Sequence, residues 1–311
     1  MNKFSYNDIT KSLMEMVSDV KVIPQNVAFN IREDSACAGR YSTANVKIVD
    51  KTDKPGIDII VKPGTKNETV YIPAFVTHTN VEDLVYNDFF IGEDADVTVV
   101  AGCGIHNDGH GHSAHNGIHR FFVGKNAKVL YLEKHVGTGE GLGKRIINPV
   151  TDCVIEEGGY MKMDTTQIGG VDSTIRKSSA KLAKDAKLVI REKIMTCGDQ
   201  FAQTDFEVEL NGEGCGADLV SRSVAKGKSV QVFNSKMNGN AACTGYSSCD
   251  AIIMDNAKVG AMPALDANHV DAALIHEAAV GKIAGEQLIK LMTLGLTEAE
   301  AEAKIIEGFL K

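Results

Sequence analysis

Five short stretches of this chain share one pattern: an apolar residue, a polar turn, a small residue and a β-rich segment. They are residues 91–97 (Ile91 to Val97), 123–129 (Val123 to Val129), 155–161 (Ile155 to Met161), 182–188 (Leu182 to Leu188) and 253–259 (Ile253 to Val259). With Ala95, Ala127, Gly159 and Ala186 as markers, the first two intervals are equal and the third is slightly shorter. A period of this size, built from strands and turns with no helix inside the unit, predicts a stacked solenoid, because no single unit can bury its apolar face alone. Leucine-rich and ankyrin arrays would place a helix or a fixed Leu or His motif in every unit, and neither is present. The fold expected is mainly β: a right-handed parallel β-helix whose inward side chains stack and whose small residues let the backbone turn at the corners. The chain has 30 glycines and only 6 prolines, which suits central strands that cannot give up their N–H groups. The absence of Trp suits a narrow interior.

The flanks read differently. Residues 5–20 place Ile9, Leu13, Met14, Met16 and Val17 at helical spacing, which predicts a short amphipathic helix. From Lys21 to about Phe90 the pattern alternates with period two between Pro and Gly breaks, giving a strand-rich N-terminal region over 1–90 ahead of a solenoid core over 91–270. From Asp271 the chain is dense in Ala, Leu, Ile, Glu and Lys, with Leu274, Ala278, Leu288, Leu291 and Met292 near helical spacing, and 271–311 is expected to be helical. Gly295 interrupts that region, and Thr297 with Glu300 supplies a capping box for a last helix.

Composition removes several function classes. The 33 Lys and Arg against 41 Asp and Glu give a net charge of -8 with no basic run, so neither nucleic acid nor an anionic membrane surface is an expected partner. No stretch approaches a membrane span, and Met1 to Asp8 lacks the apolar core of a signal peptide, so a cytoplasmic protein is expected. Seven irregularly spaced cysteines read as reduced thiols rather than a disulfide framework. No GxxxxGK[ST] loop occurs, so any ATP dependence must come from a partner. The glycine-rich 137–143 segment lacks the following helix of a dinucleotide fingerprint and is read as a turn.

The candidate chemistry lies where the solenoid pattern gives way. Cys249 stands one repeat interval before the adjacent pair His276 and Glu277. Thiolate, imidazole and carboxylate are ligands for iron, the thiolate holding it most firmly. The bland reading is that Cys249 is a small buried hydrophobe and His276-Glu277 a helix start. A second cluster, His106, His110, His112, His115 and His119, crowds into one short segment and could bind metal. Its Gly, Asn and Ser content equally suits a solvated loop, with His115 and His119 as stacked strand residues. Cys103 and Cys243 are further candidates for sulfur chemistry. Cys243, shortly before Cys249 in a Gly- and Ser-rich stretch, reads as a reachable thiol and the first candidate for a sulfur relay. Cys37, Cys153, Cys197 and Cys215 read as structural, with Cys215 at an exposed corner.

The C-terminal residues carry a resemblance. Cys249-Asp250, Gly260-Ala261-Met262-Pro263, the run from His276 to Leu288 and the run from Gly295 to Phe309 resemble the SufB/SufD family, scaffolds of the SUF iron-sulfur cluster assembly machinery. The resemblance is specific over 247–311 and extends as solenoid pattern over roughly 90–311. It implies a scaffold rather than an enzyme, a transient iron-sulfur cluster held where two subunits meet, and a C-terminal helical region that docks the ABC-type ATPase SufC. Cys249 and Glu277 stand where SufB carries its cysteine and glutamate, and His276 where SufD carries its histidine. One chain thus carries both halves of the site, and a homodimer could replace the SufB–SufD pair. The longer N-terminal region of SufB and a counterpart of its internal sulfur-accepting cysteine are not matched, and the sulfur donor is not indicated. The alternatives are a SufD-like structural partner and a β-helix carbohydrate-active protein.

Overall fold

The computed structural model describes residues 7–311. The chain begins with helix α1 (Asp8–Ser18), followed by β1 (Ala28–Glu33), β2 (Ala36–Tyr41), β3 (Val46–Asp50), β4 (Gly56–Val61), β5 (Glu68–Val76), β6 (Glu82–Ile91) and β7 (Asp96–His106). Then come β8 (Ser113–Val123), β9 (Lys128–Thr138), β10 (Arg145–Ile147), β11 (Val150–Ile155), β12 (Tyr160–Ile168), β13 (Ser173–Leu182) and β14 (Lys187–Thr196). The last coils are β15 (Phe201–Leu210), β16 (Gly216–Ala225), β17 (Val230–Gly239), β18 (Cys243–Ile253), β19 (Lys258–Ala267) and β20 (Ala272–Gly281), and helices α2 (Gly285–Met292) and α3 (Glu298–Phe309) close the chain.

Successive strands alternate between two facing sheets, with β5, β7, β9, β12, β14, β16, β18 and β20 stacked in one and β4, β6, β8, β13, β15, β17 and β19 in the other. The result is a β-solenoid of about eight turns. Its parallel register explains the repeat. Asp96 lies opposite Lys128, Lys128 opposite Tyr160 and Tyr160 opposite Lys187, so the intervals between the sequence markers are the lengths of successive coils. Each small marker follows a corner residue in the left-handed region: Asp94 at φ 57°, Asn126 at 54°, Gly158 at 68° and Asp185 at 57°. Asn, Asp and Gly tolerate that conformation at least cost. Alternate residues of each strand face inward; in β14, Leu188, Ile190, Glu192, Ile194 and Thr196 are all buried.

The N-terminal helix forms as expected, though Ser5 and Tyr6 of its expected span and the Met1–Asp8 leader reading fall wholly or partly outside the described residues. The Asn7 side chain accepts from the Thr10 amide at 2.7 Å and caps α1. Its apolar face, Leu13, Met14 and Val17, lies on the outer side of β7, where Gly102 and Gly104 carry no side chain. A Cβ on Gly102 would sit 2.6 Å from Val17 Cβ, so the close approach requires glycine.

Two boundaries differ from the sequence reading. Parallel stacking starts before residue 91, because β5 already pairs with β7 and β6 with β8. What precedes it are antiparallel pairs, β1 with β2 and β3 with β4, that finish the sheets at the N-terminal end. At the other end, residues 272–281 are not helical but form β20, paired in parallel with β18. The run of Ala, Leu and Ile there fits both periods, and the open ladder of β18 decides in favour of strand. The helices occupy only 285–309. The capping box is present, with Thr297 N donating to Glu300 Oε2 at 2.8 Å and Glu300 N to Thr297 Oγ1 at 3.3 Å. Among the described residues no helix is long and apolar enough to cross a membrane.

Candidate functional site

The interior is apolar at its corners and polar along its middle. Reading inward residues rung by rung, Glu133, Thr165, Glu192, Ser221 and Cys249 stack in one column of the β9–β18 sheet. Arg176 reaches across from β13 and pairs with Glu133 and, at 3.4 Å, with Glu192. Burial would raise the Glu133 pKa, but the charges of Arg176 and His135 prevail and hold its carboxyl well below the usual range. For Glu192 burial wins: its pKa stays raised despite Arg176 and the hydroxyls of Ser221 and Thr204, which donate at 2.7 and 2.9 Å.

Cys249 is 1% exposed on the inward face of β18. Burial, with smaller contributions from the charges of Glu192 and Asp250, pushes its thiol up to about 12. A cavity of about 10 Å³ separates it from Glu192, Thr204 and Ser221, near the room one water needs, roughly 10–15 Å³. His276 faces inward on the next strand, beside Ser247, and burial lowers its pKa. Its Nδ1 lies 3.0 Å from Ser247 Oγ, while its buried Nε2 has no hydrogen-bond partner. Cys249 and His276 are therefore diagonal neighbours on one inward face, their Cα atoms roughly 8 Å apart by strand spacing.

Glu277 is not part of that group. Neighbouring residues of a strand point to opposite faces, so with 276 inward Glu277 stands on the outer surface, where Tyr246 Oη donates to its Oε2 at 2.9 Å. The adjacency of His276 and Glu277 joins them in one site only at a helix start; the strand parts them. Cys243 also differs from its sequence reading. It opens β18 and is 4% exposed, not in a flexible stretch, and it lies roughly 20 Å along the strand from Cys249. Cys215, expected at an exposed corner, is buried.

The five clustered histidines separate in the same way. His115 and His119 point inward from β8, where His115 Nδ1 pairs with Asp83 at 2.9 Å and His119 Nδ1 donates to Tyr131 Oη at 2.8 Å. His106 bonds Thr138 and Asp108, His110 is exposed, and His112 Nδ1 accepts from the Lys144 amide at 2.8 Å. Among the described residues no group of three or more His, Cys, Asp or Glu side chains is placed to hold a metal ion. The two inward histidines border a cavity of about 260 Å³ at the N-terminal end, which Arg32, Asn87, Cys103 and His135 also line. Sequence reasoning missed this polar interior, Glu133, Arg176 and Glu192 above all. Their signal was a charged residue at an inward, otherwise apolar position of a period-two strand.

Fold and site together define a parallel β-solenoid protein with a polar interior and a thiol–imidazole pair shared between its last two rungs. The family model described as SUF system FeS cluster assembly, SufBD core domain, matches residues 83–309. The chain belongs to that family of SUF-system iron-sulfur cluster assembly proteins. It is 28% identical over 269 residues to an iron-sulfur cluster assembly SufBD family protein of Archaeoglobus fulgidus, covering 85% of this chain and 70% of that one. A second such protein, from Methanocaldococcus jannaschii, is 28% identical over 255 residues, 81% of this chain and 79% of its own length. The membership sets aside the carbohydrate-active alternative.

Proposed function

We propose that the chain is a cytoplasmic scaffold subunit on which nascent iron-sulfur clusters are assembled, as a homodimer working with a SufC-like ABC ATPase. The observation that carries this reading is the shared inward face of Cys249 and His276, with the His276 Nε2 buried and unpartnered on the last rung. Iron and sulfide are the substrates and the cluster the product, held transiently because an imidazole releases iron more readily than a second thiolate.

A single chain offers two donors there, so a second copy supplies the rest. β19 and β20 end the two sheets, and each presents an unpaired ladder edge on which another copy can dock. Glu277 joins the ligand set only if its bond to Tyr246 gives way. The exposed Ile289, Met292 and Leu294 of the α2 region supply an apolar surface for the ATPase. With Cys249 1% exposed, iron reaches its thiol only once the rung above opens, and closure of the ATPase partners would supply that work. The separation of Cys243 from Cys249 means that sulfur relayed through Cys243 cannot pass by direct exchange between the two.

The near-complete burial of Cys249 favours one second reading, a SufD-like structural partner in which Cys249 is only a packed residue. Anaerobic reconstitution with iron and sulfide separates the two. Visible absorption and iron per dimer are followed for wild type, Cys249→Ser and His276→Ala. Loss of the cluster in either variant supports the scaffold; a cluster that persists in both sinks the site, and none in wild type favours the structural partner.

A further inference from the structure

The last coils bury two hydroxyls that packing does not call for. Ser247 is 0% exposed and Ser235 2%. In the same inward columns the preceding coil places Leu219 beside Ser247 and Phe206 beside Ser235. A serine after a leucine or a phenylalanine removes apolar volume from the core and buries a group that must be hydrogen-bonded. The two hydroxyls meet across the interior at 3.1 Å, and Ser247 Oγ is also 3.0 Å from His276 Nδ1.

This arrangement favours one tautomer. If His276 carried its proton on Nε2, a buried N–H would have no acceptor, and orphaned buried N–H groups are rarer than under-used acceptors. With the proton on Nδ1, Nδ1–H donates to Ser247 Oγ and the Ser247 hydroxyl to Ser235 Oγ; the donor left over is then the Ser235 hydroxyl, which can rotate to find an acceptor, rather than a ring N–H fixed in direction. We propose that Ser247, braced by Ser235, is a positioning residue that holds His276 in its Nδ1–H tautomer and so presents the bare Nε2 lone pair to an iron ion at the last rung. The inference rests on the reading of His276 as a ligand. It deepens that reading by naming the groups that make the ring a ligand: outer partners of this kind fix ring orientation and basicity. Neither hydroxyl touches the metal.

The test uses metal-free protein with isotope-labelled histidine, read by ring-nitrogen chemical shifts, and then titration with Co(II) as the probe. Wild type is expected to show a protonated Nδ1 and a bare Nε2 at His276. Ser247→Ala should release the ring to a mixture of tautomers and weaken Co(II) binding by about 10- to 100-fold. Ser247→Thr, which keeps the hydroxyl, should restore both readouts, and Ser235→Ala, which leaves Ser247 in place, should give a smaller shift in the same direction. A protonated Nε2 in wild type overturns the proposal, as does a Ser247→Ala or Ser235→Ala spectrum indistinguishable from wild type. Wild type that shows the Nδ1–H tautomer yet binds no Co(II) overturns the ligand reading of His276 instead, leaving the hydroxyl control of its tautomer standing.

Discussion

The two ends of the solenoid interior are both polar, and they handle polarity in opposite ways. At the N-terminal end Asp83 is held by Arg32 and His115, and His119 by Tyr131, beneath strands that complete the sheets. At the C-terminal end the serine pair leads to a histidine nitrogen with no partner, on one of the two end strands whose outer edges are unpaired. A buried polar group without a partner costs free energy and persists only when something else requires it. Asn87 Oδ1 at the first end also lacks a partner, but it lies on a strand paired on both sides, whereas the His276 nitrogen lies on an open edge strand; that difference assigns structural work to the first end and exchange with a ligand or second subunit to the other. Between them Arg176 ties Glu133 to Glu192 and offsets part of the charge buried in the middle of the interior.

The comparison breaks most severely at that middle. Arg176→Met leaves two buried carboxylates without their cation, and removing one partner of a buried ion pair costs about 3–5 kcal/mol. The denaturation midpoint should fall accordingly, and an unchanged midpoint would show that water, not Arg176, screens the pair. The closed end is tested through pH. Burial lowers the His119 pKa to about 4, so between that value and the ordinary value near 6.5 the unfolded chain binds the extra proton and stability rises with pH. The contribution is fully present above about 6.5 and is lost on acidification towards 4, on the order of 3 kcal/mol. His119→Phe should flatten the stability profile in that window. Asp83 acts at lower pH: burial would raise its pKa, but His115 and Arg32 outweigh burial and hold its carboxyl well below the usual range. Its stabilisation is present above the ordinary carboxylate pKa and fades only as pH falls towards the depressed one. Asp83→Asn should remove that late acid transition and cost about 1–3 kcal/mol at neutral pH. Burial lowers the His276 pKa too, so His276→Phe should flatten the profile in the same direction but by less, and a change as large as at His119 would erase the distinction between the ends.

Much of this was legible in the sequence where local chemistry and global fold agree. The corner pattern at Ala95, Ala127, Gly159 and Ala186 gave the coil lengths because small residues after left-handed Asp, Asn or Gly are a local requirement of each turn. Cys249 and His276 were identified, and the strand at 272–281 puts them on one face, a geometry their spacing alone could not supply. The strand itself was illegible: Ala, Leu and Ile there satisfy either period, and only an open neighbouring ladder chooses. Glu277 entered the site through the family resemblance, which carries no information on which face of the strand it takes. The buried Glu133, Arg176 and Glu192 were missed because each is unfavourable inside a core alone and tolerable only when the fold brings all three together.

The smallest effect separates the C-terminal helices from the solenoid end they adjoin. Thr297 caps α3 by accepting from the Glu300 amide, and loss of such a cap costs a helix about 1 kcal/mol. α3 is tethered to the solenoid by Lys226 with Glu302 at 2.8 Å and by the buried Ala301, while α2 buries no residue at all. Few contacts couple these helices to the core, so their opening is a local event of low free energy. Thr297→Ala should therefore speed amide exchange in α3 by about fivefold, the factor that 1 kcal/mol gives, and leave exchange in β18 and the global midpoint as in wild type. If exchange in β18 rose equally, the helices would be part of the cooperative unit that covers Cys249. A partner docking on them could then reach that thiol through the fold itself rather than by prising off the last rung.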